Sequence, residues 1–132
     1  MSTWKRNEHQ KTLYDFKLDE SSVVLDLGSF RGSFIDAIYK KYKPYIYAFE
    51  PVKSFYTTLA SKYKEQTKIK IYNIGLSDTT SVETIYVSAD SSSIHKEVSN
   101  QQEQVQLIDI REFLQDNEIT SISLIKINIE GG

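Results

Sequence analysis

Short runs of apolar and β-branched residues recur along this chain, and each run ends in a polar or glycine-containing turn. A nearly continuous run of this length is typical of a strand that is buried on both faces of a sheet. We therefore predict four central strands. These strands span residues 23–27, 45–49, 69–74 and 123–129.

Amphipathic segments separate the first three of these strands. Their apolar side chains recur every four residues, which places them on one face of a helix. These side chains are Phe34, Ile38 and Tyr42 in the first segment and Phe55, Leu59 and Tyr63 in the second. Pro44 ends the first helix, because proline cannot continue the hydrogen-bond pattern of a helix.

The pattern changes after the third strand. Residues 82–87 and 105–110 predict an additional pair of strands, and the polar residues 88–104 between them predict a loop. Residues 111–117 predict a short helix before the fourth central strand. Strands that alternate with helices indicate an α/β sheet with parallel strands and right-handed crossovers. In such sheets, ligands bind at the carboxyl ends of the strands.

Composition limits what this chain can be. The length of 132 residues fits one domain, and 39% hydrophobic residues exclude a disordered chain. The absence of Cys excludes disulfides, thiolate zinc sites and a cysteine nucleophile. We expect one domain over residues 1–132, with residues 1–20 as an N-terminal helical extension.

The sequence has no recognisable targeting or membrane segment. Residues 1–10 lack the apolar core of a signal peptide, and no run approaches the ~18 apolar residues of a membrane span. We therefore expect a cytoplasmic protein with no membrane partner.

The first predicted strand ends in an acid and two glycines, Asp26, Gly28 and Gly32, before a helix begins. A Walker loop requires a Lys after its last glycine, and none follows Gly32. A dinucleotide fingerprint requires glycine where this chain has Phe30, at the point where the pyrophosphate must approach the backbone. The remaining pattern resembles the glycine-rich loop of class I S-adenosylmethionine-dependent methyltransferases. An ordinary strand–helix turn is the alternative.

Glu50 ends the second predicted strand, 22 residues after Gly28. A ribose-binding acid is expected about 20 residues past such a glycine loop. A carboxylate suits this position because it can accept hydrogen bonds from both hydroxyls of a cis-diol. A solvated acid at a strand end is the alternative.

A glycine-containing loop also follows the third predicted strand. In the class I methyltransferase fold, this loop flanks the adenine of the cofactor. Leu76 would then cover the face of the adenine, and Ser77 or Asp78 would reach its exocyclic amine. A plain turn is the alternative, because Ser and Asp are common turn residues.

Several short motifs, taken in order, resemble the FkbM family of methyltransferases. They are Ala48-Phe49-Glu50-Pro51, Gly75-Leu76-Ser77-Asp78 and Leu124-Ile125-Lys126-Ile127-Asn128-Ile129-Glu130-Gly131. The additional strand pair is also similar to that family, and the resemblance runs from about residue 23 to residue 132. It implies a Rossmann-like class I methyltransferase sheet of central parallel strands with flanking helices. It also implies methyl transfer from S-adenosylmethionine, usually to an oxygen of a sugar or another small molecule.

The resemblance further implies roles at individual positions. The residues expected to hold the cofactor are Asp26, Gly28, Ser29, Arg31 and Gly32 on the methionine side, Glu50 and Pro51 at the ribose, and Leu76, Ser77 and Asp78 at the adenine. Asn128 and Glu130 lie where the active methyl group would point, and they are the expected catalytic residues.

The chain departs from the family in two respects. The family favours Asp where this chain has Asn128, and Asn cannot take up a proton as a general base. Methyl transfer can nevertheless rest on alignment of the nucleophile with the methyl group. The family also continues past the Glu130-Gly131 motif, so we expect a C-terminally truncated member whose sheet is incomplete at that end.

An alternative function follows from these departures. The chain could be a catalytically inactive cofactor-binding module that self-associates through residues 123–130, because an unpaired apolar strand seeks a partner.

Charge and histidine content indicate few other partners. Residues 37–70 carry eight Lys and two Glu, a balance that could attract nucleic acid. Exposed helix faces explain these Lys more simply, so we expect a small-molecule methyl acceptor rather than nucleic acid. His9 and His95 lack the spacing of metal ligands, and we expect no metal site.

Overall fold

The computed structural model describes residues 16–87 and 101–128. Seven strands and three helices lie within these ranges. In chain order they are β1 (Val23–Leu27), α1 (Ser33–Tyr42), β2 (Tyr45–Phe49), α2 (Lys53–Lys62), β3 (Ile69–Tyr72), β4 (Gly75–Ser77), β5 (Ser81–Val87), β6 (Gln101–Asp109), α3 (Ile110–Asp116) and β7 (Leu124–Ile127).

Four parallel strands form the main sheet in the order β3-β2-β1-β7. The central strand β1 aligns Val24 with Ile46 of β2 and with Leu124 of β7. The chain moves outward from β1 to β3 and later returns to the other side of β1. The direction of winding therefore reverses between β1 and β7, and ligands of open α/β sheets bind at such a point. This topology confirms the predicted α/β class with central parallel strands.

The main sheet is covered on both faces, because successive strand residues point to opposite sides. Val24 and Ile46 are fully buried on the face that packs against α1 and α2. Leu25 and Phe49 are fully buried on the other face, against Phe113 of α3. A strand buried on both faces needs apolar residues at nearly every position, which explains the continuous runs in the sequence.

Aromatic contacts dominate the second face. The ring of Phe49 lies 4.9 Å from that of Phe113, edge to face, and 5.4 Å from that of Tyr72. These centroid separations fall in the range where aromatic pairs add stability beyond their area burial. The group ties α3 to strands β2 and β3.

A second sheet has the order β4-β6-β5. Strand β6 is parallel to β4 and antiparallel to β5, so β5 and β6 are the predicted additional pair. Asp109 ends β6 and caps α3 by accepting a 2.8 Å hydrogen bond from the backbone N–H of Arg111. The Arg111 side chain also bonds the Asp109 carboxylate and lowers the pKa of that carboxyl to about 2.

The observed elements differ from the predicted ones at a few boundaries. Strand β3 ends at Tyr72 rather than at residue 74, and the short strand β4 follows it. Strand β6 begins at Gln101, whereas residues 88–104 were predicted as a loop. Of the helix predicted over residues 1–20, residues 1–15 lie outside the described ranges, and residues 16–20 lead to β1 without forming a helix.

No helix in the described ranges is long and apolar enough to cross a membrane.

The buried aromatic group predicts a large effect of truncating Phe49. We expect Phe49→Ala to lower the free energy of unfolding by about 3–5 kcal/mol, because it removes a fully buried ring and leaves a cavity. Urea denaturation followed by circular dichroism measures this change. Val82→Ala is the control, because Val82 is 63% exposed and should change stability little. An equal loss in both variants would contradict the proposed core.

Candidate functional site

The carboxyl ends of the four parallel strands bring several predicted site residues to one edge of the main sheet. In the order β3-β2-β1-β7, the residues just beyond the strands include Asn73, Glu50, Gly28 and Asn128. They therefore form a row that crosses the point where the winding of the sheet reverses.

Gly28 begins the loop after β1 in a conformation that favours glycine, with φ of +84°. Its N–H donates to the carbonyl oxygen of Phe49 at 2.9 Å. A Cβ at this position would lie 2.8 Å from the carbonyl oxygen of Asn128. Glycine is thus needed both for the turn and for the close approach of β7, and Asn128 lies directly beside the loop.

Glu50 is only 4% exposed, and each oxygen of its carboxylate accepts a backbone hydrogen bond. The N–H of Phe30 donates to Oε1 at 2.7 Å, and the N–H of Val52 donates to Oε2 at 3.1 Å. Burial raises the pKa of the Glu50 carboxyl, and the two N–H bonds oppose that shift. An ionised carboxylate has about four lone-pair positions, so two remain for hydroxyl donors of a ligand. Glu50 is therefore not the solvated acid that was the alternative.

Phe30 adopts φ of +56°, which is strained for a bulky residue. This conformation aims its N–H at Glu50, and its ring packs 4.4 Å from that of Phe55 in α2. The guanidinium of Arg31 lies 5.4 Å from the centroid of the Phe30 ring, and Arg31 is exposed. A side chain therefore occupies the position where a dinucleotide fingerprint has its second glycine.

Asp26 is fully buried at the end of β1. Its two carboxylate oxygens have no hydrogen-bond partner among the described residues, and the ammonium of Lys126 lies 3.7 Å from Oδ1. Burial raises the pKa of the Asp26 carboxyl, and Lys126 opposes the shift. The Ser29 hydroxyl donates to the backbone carbonyl of Asp26 at 3.1 Å, and this buried bond stabilises the turn after β1.

Gly32 ends the loop as the residue that caps α1, with φ of +87°. A Cβ there would lie 2.5 Å from the hydroxyl oxygen of Tyr63. In the structure, Gly32 permits α2 to pack closely against the loop.

Asn73 is a member of this site that sequence reasoning missed. Its side-chain amide donates 3.0 Å hydrogen bonds to the carbonyl oxygens of Glu50 and Pro51. These bonds hold the loop after β2 to the loop after β3. The position of Asn73 directly at a predicted strand end was the signal that could have identified it.

The loop residues predicted at the adenine begin beside Pro51, because a Cβ at Gly75 would lie 3.7 Å from the Pro51 ring. Leu76 belongs to β4 and packs against the aromatic face of the main sheet. The Ser77 hydroxyl bonds the Asp78 carboxylate at 3.2 Å, and the Asp78 carbonyl accepts a 3.3 Å bond from Arg111. Ser77 and Asp78 thus lie near the start of α3, and their predicted contact with adenine stays a prediction.

A cavity of about 810 Å³ opens beside Pro51 and Asn73. Lys53 and Ser54 of α2 and residues 101–106 of β6 also line this cavity. The backbone N–H of Lys53 donates to the Glu103 carboxylate at 2.8 Å, which joins the start of α2 to β6. The volume falls within the range of small-molecule sites.

Some of the sequence predictions concern residues that the structure does not describe. Glu130 lies outside the described residues, and so do His9, His95 and residues 88–100. No cluster of three potential metal ligands occurs in the part of the chain that the structure describes.

In the basic segment of residues 37–70, two of the Lys side chains bind other parts of the protein. Lys62 pairs with Asp36, and Lys68 donates to two backbone carbonyls, so these two charges stabilise the fold.

Comparisons with known proteins identify one family. The sequence matches the family described as "Methyltransferase FkbM domain" over residues 26–132. No protein of curated function matches the chain.

Several solved structures match part of this chain. The cyclopropane synthase MmaA2 from Mycobacterium tuberculosis is 14% identical with a TM-score of 0.45, and the match covers 54% of this chain and 26% of that chain. The mycolic acid cyclopropane synthase CmaA1, complexed with SAH and CTAB, is 14% identical with a TM-score of 0.44, covering 54% and 26%. The 23S rRNA methyltransferase ErmE is 16% identical with a TM-score of 0.42, covering 52% and 28%. The matched region spans about a quarter of these proteins.

The contact between Gly28 and Asn128 predicts that Gly28 tolerates no side chain. We expect Gly28→Ala to destabilise the protein by about 1–3 kcal/mol, because Ala is strained at positive φ and its Cβ would collide with a backbone oxygen. Gly75→Ala is the matched control, since the nearest atom there is a methyl group of the flexible Leu107 side chain. Urea denaturation of both variants measures the difference. Equal stability losses would show that the turn does not require glycine.

Proposed function

The chain belongs to the FkbM methyltransferase family, and we propose that it binds S-adenosylmethionine across the carboxyl ends of the parallel strands. We further propose that it supports transfer of the methyl group to an oxygen of a small molecule or sugar. The observation that carries this proposal is the buried Glu50 carboxylate, which the loops after β1 and β2 hold through two backbone bonds.

Glu50 has the properties of a ribose-binding acid. Its backbone bonds fix the carboxylate in one orientation, and its remaining lone pairs can accept from a cis-diol. The bulky Phe30 at the usual second glycine of a dinucleotide loop favours a nucleoside without a diphosphate. Ribose bound at Glu50 is consistent with both observations.

The base of the cofactor would extend from Glu50 toward β3. The cavity beside Pro51 and Asn73 lies in that direction and offers amide groups as hydrogen-bond partners. Asn and Gln amides can match the donor and acceptor edge of adenine. We propose that the base occupies this cavity, and that Leu76, Ser77 and Asp78 belong to the loop that reaches it, because this loop begins at Gly75 beside Pro51.

The methionine portion would extend in the opposite direction, over the loop from Gly28 to Gly32. The loop lies at the carboxyl ends of the parallel strands, where ligands of open α/β sheets bind. Asp26 and Glu50 place two buried carboxylates below this loop, close enough that the charge of Asp26 raises the pKa of Glu50 further. When ionised, they would favour a ligand that carries a positive charge, and the ammonium of Lys126 offsets part of the Asp26 charge.

Bound S-adenosylmethionine would supply an electrophilic methyl group on a sulfonium. Asn128 lies beside Gly28, where it could orient an acceptor hydroxyl by a hydrogen bond but could not take its proton. The predicted catalytic role of Glu130, a carboxylate two residues further along the chain, rests on the sequence.

A second candidate function is a catalytically inactive cofactor-binding module that self-associates. Ile125 is 41% exposed and Ile127 is 60% exposed on β7. Among the described residues, β7 pairs with β1 alone, so its other edge offers unpaired backbone groups. A second copy of the chain could pair with this edge.

The proposed ribose site predicts micromolar-range binding of S-adenosylmethionine and of S-adenosylhomocysteine, measured by calorimetry. We expect Glu50→Ala to weaken binding about 100-fold, because two hydrogen bonds to a charged acceptor are lost. Glu65→Ala is the control, since Glu65 is an exposed acid beyond α2. Circular dichroism checks that each variant is folded. Absence of binding to the folded wild-type protein would refute the proposed function.

The exposed edge predicts dimers or larger assemblies at high protein concentration, measured by light scattering. We expect the double substitution Ile125→Lys and Ile127→Lys to yield monomers, because charge on an edge strand opposes pairing. Val82→Lys, at an exposed position on β5, should leave assembly unchanged. A wild-type protein that stays monomeric would exclude self-association.

A further inference from the structure

Tyr63, directly after α2, reaches across to the glycine loop. The side chain is 7% exposed, and its hydroxyl oxygen lies 3.0 Å from the carbonyl oxygen of Gly32 and 2.5 Å from Oδ1 of Asp36. The hydroxyl has one hydrogen to share between these two acceptors. Burial raises the pKa of Tyr63, and the Asp36 carboxylate adds to the shift, so the hydroxyl keeps its hydrogen at neutral pH.

The lack of a side chain at Gly32 leaves the space that the Tyr63 hydroxyl occupies. A Cβ at Gly32 would lie 2.5 Å from the hydroxyl oxygen, so any larger residue would displace Tyr63. The Gly32 carbonyl also accepts the first backbone bond of α1, from the N–H of Asp36 at 2.9 Å. Tyr63 therefore acts on the atom that joins the end of the loop to the start of α1.

Lys62 reinforces the same junction from the neighbouring position. Its ammonium pairs with Oδ2 of Asp36 at 2.8 Å and lies 3.5 Å from the carbonyl oxygen of Arg31. Two consecutive residues at the end of α2 thus contact two consecutive carbonyls of the loop.

The glycine loop is therefore held at three separate points. The N–H of Gly28 bonds to β2, and the N–H of Phe30 bonds to the Glu50 carboxylate. These two bonds fix the start of the loop and the ribose side. The third point, at Gly32, depends on α2 and fixes the end of the loop.

We propose that Tyr63 is a positioning residue that sets the orientation of residues 31–32, and through them the affinity for the methionine portion of the cofactor. Tyr63 would do this without touching the ligand. This inference rests on the proposed binding of S-adenosylmethionine to the loop. It predicts that affinity for the whole cofactor depends on the Tyr63 hydroxyl, whereas affinity for the adenosine portion does not.

The first test is Tyr63→Phe, which removes only the hydroxyl. We expect its affinity for S-adenosylmethionine, measured by calorimetry, to fall about tenfold, because ligand binding must then supply the free energy with which the lost internal bond held the loop. Adenosine, measured by competition with S-adenosylhomocysteine, should bind within twofold of wild type, because Glu50 and its bonds are retained. Tyr56→Phe is the matched control on the same helix, and it should change neither affinity.

Asp36→Ala separates positioning from general packing. This variant removes the second acceptor of the Tyr63 hydroxyl and the partner of Lys62, so we expect a lower melting temperature. In this variant the Tyr63 hydroxyl can still donate its hydrogen to the carbonyl oxygen of Gly32. The affinity for S-adenosylmethionine should therefore stay within twofold of wild type. A merely structural role of the α1–α2 contact would lower affinity in Asp36→Ala as well.

The outcomes distinguish this inference from the proposed function. Absence of S-adenosylmethionine binding to the wild-type protein would refute the proposed function and this inference with it. If the wild-type protein binds, any of three results would overturn the role of Tyr63 alone. They are unchanged affinity in Tyr63→Phe, equal weakening of adenosine and S-adenosylmethionine, and equal loss of affinity in Asp36→Ala.

Discussion

The arrangement of the strand-end loops depends on one buried carboxylate. Glu50 accepts backbone bonds from the loop after β1 and from the start of α2, and its own carbonyl accepts the side-chain amide of Asn73. A buried charge is costly unless hydrogen bonds compensate it, so the loop after β1 and the start of α2 must keep the positions that supply those bonds. The same requirement that stabilises the edge of the sheet therefore prepares an oriented acceptor for a ligand.

The sequence was most informative where an element is buried along its whole length. Strands β1 and β2 have the predicted bounds because their apolar runs are enclosed by turn residues. Strand β6 starts earlier than predicted because its first residues are polar and become a strand only by pairing with β5, where Gln101 lies opposite Val87. Such pairing is tertiary information that local propensity does not contain. The three-residue strand β4 was missed for the same reason.

In the candidate site, too, residues with a local sequence signature could be predicted more readily than residues defined by distant contacts. Gly28 and Glu50 could be identified because a glycine turn and an acid at a fixed distance have local signatures. Asn73 had only its position at a strand end as a signal, and Tyr63 had none, because their significance lies in bonds to residues 22 to 31 positions away. Lys126 gains its importance only when β7 is placed beside Asp26. Residues that hold a site in place are thus harder to infer from one sequence than residues that define its loops.

Strand β6 lines the cavity in a way that affects which amino-acid substitutions the site can accept. Side chains alternate between the two faces of a strand, yet six consecutive residues, 101–106, line the same space. Among the described residues, β4 pairs only with residues 107–109, so one edge of residues 101–106 has main-chain N–H and carbonyl groups that can face the cavity. Main-chain groups are the same for almost every amino acid. Substitutions along this segment could therefore change the side-chain amides that would contact a bound base and still preserve the main-chain part of the hydrogen-bonding surface.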